Sequence, residues 1–300
     1  MNLTIRIPFI FFLAIVIFSA CERTLFIEVS EPTSKIVLNG IISPESDVWL
    51  NVSESVGASV SENKSYIPVE DATVRIYNED SLLTTITEND IGNYISTGFG
   101  PQTGETYRIQ VNVYGYPEAS STVRIPERVE ITGFDTSRVL RNRYISNQGT
   151  DMEVKFYLKF SFQDPEEITN YYMLGAYYLE NGNYHPIQLD TEDLEMNIYI
   201  KDGVEILAWN DYNFNGESRE FNVSFSLYKY KGFETQIVFM LYSIEEEYFD
   251  YLKTYSQNFT VLNDDILMFE PVMVSTNIEG GYGIVAAVSS SYSWFNYTFK

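Results

Sequence analysis

The chain has 300 residues, 45% of them hydrophobic, with 42 acidic against 19 basic side chains and a formal net charge of −23. That apolar fraction excludes global disorder. The charge opposes nucleic-acid binding, because phosphate backbones would be repelled, and a single cysteine excludes a disulfide framework.

At the N-terminus, Arg6 precedes an uncharged apolar run over residues 7–18, followed by Ser19, Ala20 and Cys21. The run is shorter than the roughly 20 residues a spanning helix needs. A basic start, a short apolar stretch and small residues at the end are the layout of an export signal. Residues 1–20 are therefore expected to be a lipoprotein signal peptide, cut before Cys21, whose thiol would carry a diacylglycerol. Phe18 stands where such signals usually have Leu. Acyl chains gain about 0.8 kcal/mol per buried CH₂, enough for several of them to anchor the chain to a membrane. Residues 21–34, closing on Glu31-Pro32-Thr33-Ser34, read as an acylated N-terminus and stalk.

With 24 Tyr, 20 Phe and 3 Trp, the chain favours pleated, half-buried surfaces. Strands are expected at residues 35–40, 47–52, 72–77, 83–87, 93–97, 106–113 and 121–125. Period-two alternation and turn residues such as Asn78-Glu79-Asp80-Ser81 mark them, and Trp49 is the exception to the alternation of its strand. Residues 56–64 read as a loop. Short strands at this spacing suggest an Ig-like sandwich over residues 35–127. Gly92-Asn93-Tyr94 and Gly104-Glu105-Thr106-Tyr107 each lead into a strand, and the stretch resembles the carboxypeptidase-regulatory-like and transthyretin-like modules of bacterial surface proteins. That resemblance implies a spacer, with Tyr107 filling a corner of the sandwich.

From residue 128 to 300 a larger antiparallel β domain is expected. Val154, Phe156, Leu158 and Phe160 fall on one face of a strand over residues 152–162. Residues 170–179 have apolar side chains on both faces and should lie centrally. Further strands are expected at 220–230, 236–242, 284–289 and 293–299. One packed helix is expected near residues 243–259. Ser243 with Glu246 fits a capping box, and Tyr248, Leu252 and Tyr255 recur at helical spacing, with Phe249 beside them.

The export signal, the stalk, the strand Lys35-Ile36-Val37-Leu38-Asn39-Gly40 and the block Thr276-Asn277-Ile278-Glu279-Gly280-Gly281-Tyr282-Gly283 together look like domain of unknown function 4249. This is a family of lipoproteins of Bacteroidota. Phe269-Glu270-Pro271-Val272 and the acidic-aromatic stretch Glu247-Tyr248-Phe249-Asp250-Tyr251-Leu252 fit it as well. The resemblance implies a protein lipid-anchored to the outer membrane, exposed at the cell surface with the periplasmic face as the alternative, acting as a non-enzymatic accessory to a TonB-dependent receptor, in nutrient capture. An envelope hydrolase acting on glycans or peptides and a purely structural envelope protein are the competing readings.

Residues that could carry chemistry are few, and no catalytic set or cofactor site stands out. His185 is the only histidine, so no multi-His metal site can form, and no partner Ser and Asp are marked out for a triad. Asp211, Asn213, Asn215 and Gly216 match the first half of a calcium loop, but the twelfth position is Asn222, where a Glu is expected. An ordinary turn is the competing reading, and no metal is expected. Gly280-Gly281-Tyr282-Gly283 lacks the Lys and Ser/Thr of a phosphate loop and fits a tight turn. Asp80-Ser81-Leu82 resembles an O-glycosylation acceptor of exported Bacteroidota proteins, with Ser81 as the acceptor. Tyr171, Tyr172, Tyr177, Tyr178 and Tyr184 are a candidate interaction surface, a stacking platform for a glycan or another protein. The alternative is that these tyrosines fill the core.

Overall fold

The structure is a computed structural model that describes residues 34–56, 67–146, 149–166, 168–263 and 272–300. Cys21, the signal peptide, residues 21–33 of the stalk, most of the expected loop at 56–64 and residues 269–271 lie outside the described residues.

Nine strands come first: β1 (Ile36–Ile42), β2 (Val48–Glu54), β3 (Ile67–Pro68), β4 (Thr73–Asn78), β5 (Ser81–Ile86), β6 (Glu88–Asp90), β7 (Asn93–Ser96), β8 (Thr106–Asn112) and β9 (Ala119–Arg124). The long strands β10 (Ile131–Ser146), β11 (Gly149–Gln163) and β12 (Tyr171–Glu180) follow. Next come β13 (Asn183–Pro186), β14 (Asp190–Thr191), β15 (Asn197–Lys201), β16 (Val204–Asn210), β17 (Ser218–Tyr230) and β18 (Glu234–Ile244). The helix α1 (Glu246–Asn263) and the strand β19 (Tyr282–Thr298) close the chain. The protein is mainly β, as its composition and alternation lead one to expect.

One 11-stranded sheet runs in the order β15-β16-β12-β18-β19-β1-β2-β7-β6, with β13 on β12 and β3 on β2. Two four-stranded sheets, β5-β4-β8-β9 and β10-β11-β17-β14, pack against it. Alternation along β19 shows how. Val285 and Ala287 belong to the core with the first small sheet. Phe299, Phe295 and Tyr297 belong to the core with the second. All are odd-numbered, so both small sheets cover the same face of the large one.

The first core is aliphatic, with Leu38, Leu50, Val52, Val74, Ile109 and Val111 fully buried. Two tyrosines fill its ends. The Tyr94 hydroxyl accepts from the Ala72 N–H at 2.9 Å and donates to the Val69 carbonyl at 3.1 Å. The Tyr107 hydroxyl accepts from the Gln102 N–H at 2.9 Å, and the ring meets Phe99 edge-on. Such fixed hydroxyls are how a buried tyrosine keeps its polar end satisfied. The second core is aromatic. Phe156 stacks on Phe225 with ring centroids 4.8 Å apart, and Phe160, Phe162, Tyr172, Trp209 and Phe221 form a contiguous cluster.

On the opposite face of the large sheet, α1 lies over its middle. Tyr248, Phe249 and Leu252 bury against Ala208, Ile244, Ile284, Ala286 and Val288. Phe249 meets Tyr171 and Tyr199 at centroid distances of 5.1 and 5.6 Å. Beyond the helix, Trp49, Tyr292 and Trp294 on this face are exposed among the described residues.

Three expectations change. The strands expected at 284–289 and 293–299 are one strand, β19, whose register with β18 runs unbroken from Val288 to Thr298. Ser289, Ser290 and Ser291, which span the expected break, are buried, and the Ser291 hydroxyl donates to the Val129 carbonyl at 2.7 Å. Second, β19 pairs with β1 in parallel from Val37↔Tyr282 to Ile42↔Ala287, so it belongs to both halves of the division expected at residue 127. Third, Ser243 caps nothing. It lies inside β18 with its hydroxyl buried and unpartnered, and the first helical bond runs from the Phe249 N–H to the Glu245 carbonyl.

Candidate functional site

The open part of the large sheet's outer face carries a groove of about 570 Å³. Strand register builds it. Trp294 on β19 stands opposite Val238 on β18, and Val238 stands opposite Tyr177 on β12. One step along, Tyr292 stands opposite Met240, and Met240 opposite Gly175. Tyr184 joins from β13, across from Leu179 of β12. The valine and methionine form the floor, four aromatic rings form the sides, and Gln236 supplies an amide at one end.

These aromatics are surface groups. Tyr292 is 65% exposed, Tyr184 60% and Trp294 52%. Rings this exposed contribute little to the fold, whereas a contiguous apolar patch on a protein surface marks a contact site. Tyr177 is held more firmly. Its hydroxyl lies 3.4 Å from that of Tyr242, which in turn donates to the Met240 sulfur at 3.2 Å. Gly175 makes room for this pair, since a Cβ there would stand 3.1 Å from both rings.

The five tyrosines expected as one platform are divided between the two faces of the sheet. Tyr177 and Tyr184 line the groove. Tyr171 shares their face but lies under the helix, against Phe249. Tyr172 and Tyr178 point the other way. Tyr172 is fully buried in the aromatic core. Tyr178 stacks on His185 at 5.0 Å and accepts from Lys229 Nζ at 3.2 Å. Alternation decides this, since successive strand residues point to opposite faces. Sequence reasoning missed Tyr292 and Trp294, because aromatic residues fall on both faces of residues 292–299 and only the structure shows that Tyr292, Trp294 and Asn296 are the exposed set.

The calcium-like loop is a turn between β16 and β17. Phe214 N–H donates to the Asp211 carbonyl at 2.7 Å, and Glu217 N–H to the Phe214 carbonyl at 2.8 Å. Asn213 and Asn215 are exposed, whereas Asp211 is buried. Its Oδ2 accepts from the Asn170 N–H at 2.8 Å and from the Asn170 side chain at 3.2 Å. Asp164 is buried beside it, taking the Gly216 N–H at 2.8 Å and the Tyr172 hydroxyl. Burial holds the Asp164 carboxyl above the usual carboxylate range. This network joins the loops at one end of the second sandwich. Among the described residues, no group of three His, Cys, Asp or Glu side chains is placed to hold a metal ion.

Ser81 is exposed and opens β5 directly after the Glu79-Asp80 turn, where Glu79 has φ 50°. Thr276 to Gly283 dock the chain end. The Asn277 side chain donates to the Val285 carbonyl at 2.8 Å and accepts from the Val285 N–H at 3.0 Å, in the manner of a neighbouring strand. Among the described residues, no helix is long and apolar enough to cross a membrane.

The family model described as a domain of unknown function, DUF4249, matches residues 22–293. No curated protein matches the sequence. Among solved structures, a putative membrane anchored protein from Corynebacterium diphtheriae is 10% identical with a TM-score of 0.21, over 70% of this chain and 54% of that one. The chain thus spans about half of that protein. The collagen binding domain of the Erysipelothrix rhusiopathiae surface protein RspB is 9% identical with a TM-score of 0.18, over 88% of this chain and 96% of that one. At these scores neither carries a functional argument.

Proposed function

This chain belongs to the DUF4249 family, and from that membership we propose that it is a lipid-anchored, non-enzymatic binding protein of the outer membrane. It acts as accessory to a TonB-dependent receptor, through which a captured nutrient passes. The anchor is Cys21, and the first sandwich, built from β1 to β9 with the first half of β19, stands the rest of the chain off the membrane. The observation that carries the reading is the open aromatic groove between Tyr184 and Trp294, built on strands and lined by exposed rings. Rigid strands hold such rings in place before binding, so little ordering is needed when a ligand arrives.

Two measurements test it. Labelled palmitate should enter the wild-type chain in its native host and be absent from Cys21→Ser. Tagged chain pulled from native membranes should bring down a large β-barrel receptor. Equal labelling of both chains, or recovery without any barrel, overturns the proposal.

A further inference from the structure

We infer that the groove takes an uncharged glycan, laid across β18 with its sugar rings stacked on Trp294, Tyr292, Tyr177 and Tyr184. The inference rests on the reading of this chain as a binding protein and names the ligand class of that site.

Charge narrows the choice first. The chain carries 42 acidic and 19 basic residues, yet none of the residues lining this groove is charged. An anionic ligand would find no basic partner there, inside a field set by a net charge of −23. A metal ion would find no carboxylate.

The lining then says what kind of neutral molecule fits. Val238 and Met240 offer an apolar floor, and the ring faces offer more. Around them stand groups that hydrogen-bond: the Gln236 amide, the Trp294 indole N–H and the tyrosine hydroxyls. A purely apolar ligand would desolvate those groups without replacing their bonds to water. A pyranose ring presents a C–H face for the aromatic rings, whose faces are electron-rich, and a rim of hydroxyls for the polar groups. Spacing agrees. Tyr292 and Trp294 are two residues apart on one strand, about 7 Å, a step on the scale of one sugar ring. The volume of about 570 Å³ lies within the range of small-ligand pockets, roughly 300–1,000 Å³.

The test uses the mature chain, titrated with neutral hexasaccharides of glucose, mannose and xylose in α-1,4, β-1,3 and β-1,4 linkages. Binding is followed by tryptophan fluorescence and calorimetry, with polygalacturonate and choline as charged comparisons. At least one neutral hexasaccharide should bind saturably. Trp294→Ala and Tyr292→Ala should each weaken it by roughly tenfold or more, with melting temperatures unchanged because both rings are exposed. Trp49→Ala, on a different part of the sheet, should leave binding intact. Failure of the whole neutral series, binding of choline alone, or binding indifferent to both groove variants overturns the inference. A receptor recovered from membranes by a chain that binds none of these sugars removes the glycan and leaves the accessory reading standing. Sugar binding without a receptor does the reverse.

Discussion

Glu245 sits where β18 hands over to α1, and its carboxylate is turned inward. One oxygen accepts the Arg124 backbone N–H, and the other is buried with no partner. Burial pushes its pKa from the ordinary 4.5 up to about 8, against the pull of the Arg124 and Ala287 N–H groups. A raised carboxyl pKa means the folded state prefers the protonated form. Below pH 4.5 the group costs nothing. Between pH 4.5 and about 8 folding must hold a proton that the unfolded chain releases, so stability falls as pH rises through this window. Glu245→Gln keeps an acceptor for Arg124 without the charge. It should leave stability at pH 4.5 nearly unchanged and add on the order of 2 kcal/mol at pH 8.5, a Tm rise of roughly 4–8 °C for a chain of this size. Thermal melts of both chains across that range check it, and parallel curves would show that Glu245 is solvated. No sequence signal marked this residue, because the burial that raises its pKa comes from tertiary packing beside segments as distant as Arg124, 121 positions away in the chain. The same holds for Asp164, whose partners Tyr172 and Gly216 come from β12 and from the turn before β17.

Elements were legible where one face was buried and the other wet. Residues 152–162 alternate cleanly, and their apolar set, Val154 to Phe160, is the core face of β11. The helix was legible through Tyr248, Phe249 and Leu252, although its start was misplaced by the serine inside β18. Strands β10 and β13 to β16 escaped notice because polar and charged residues interrupt their apolar patterns. The glycine-rich turn before β19 was read as a turn, but not for what it accomplishes. Gly283 has φ 105°, and a Cβ there would collide with the Leu38 carbonyl of β1. Gly280 has φ 74° and is pressed against the Glu118 carbonyl. These glycines let the chain enter the sheet beside β1. Gly283→Ala therefore meets both an unfavourable backbone conformation and a backbone clash. It should destabilise the chain by about 3 kcal/mol, seen as a lower urea midpoint at an unchanged slope. A loss under about 0.5 kcal/mol would mean β1 and β19 can separate without consequence.

At the level of the whole molecule, β19 joins two sandwiches. Its first half pairs with β1, its second half pairs with β18, and its odd-numbered side chains enter both cores. Removing residues 282–300 takes a ladder partner from each strand and opens both hydrophobic interiors at once. The truncated chain should show no cooperative thermal transition, and a peptide of residues 276–300 added in trans should restore one. A truncated chain that melts at the wild-type temperature would show that the sandwiches stand without their shared strand. Composition and alternation made the β class and the succession of strands readable. The parallel pairing of β1 with β19 was not, because no local pattern encodes a contact between residues 245 positions apart, such as Asn39 and Ile284.

That pairing also sets the order of events in the life of the chain. Synthesis delivers β19 some 240 residues after β1, so β1 waits with an unpaired edge until residues 282–287 have been made. A fold that depends on such distant partners closes slowly and cannot close early. A product that stops before β19 is left with open strand edges and exposed aromatic interior, the features that proteases and aggregation exploit. Strand β19 thereby works as a checkpoint: neither sandwich can close before it has been made.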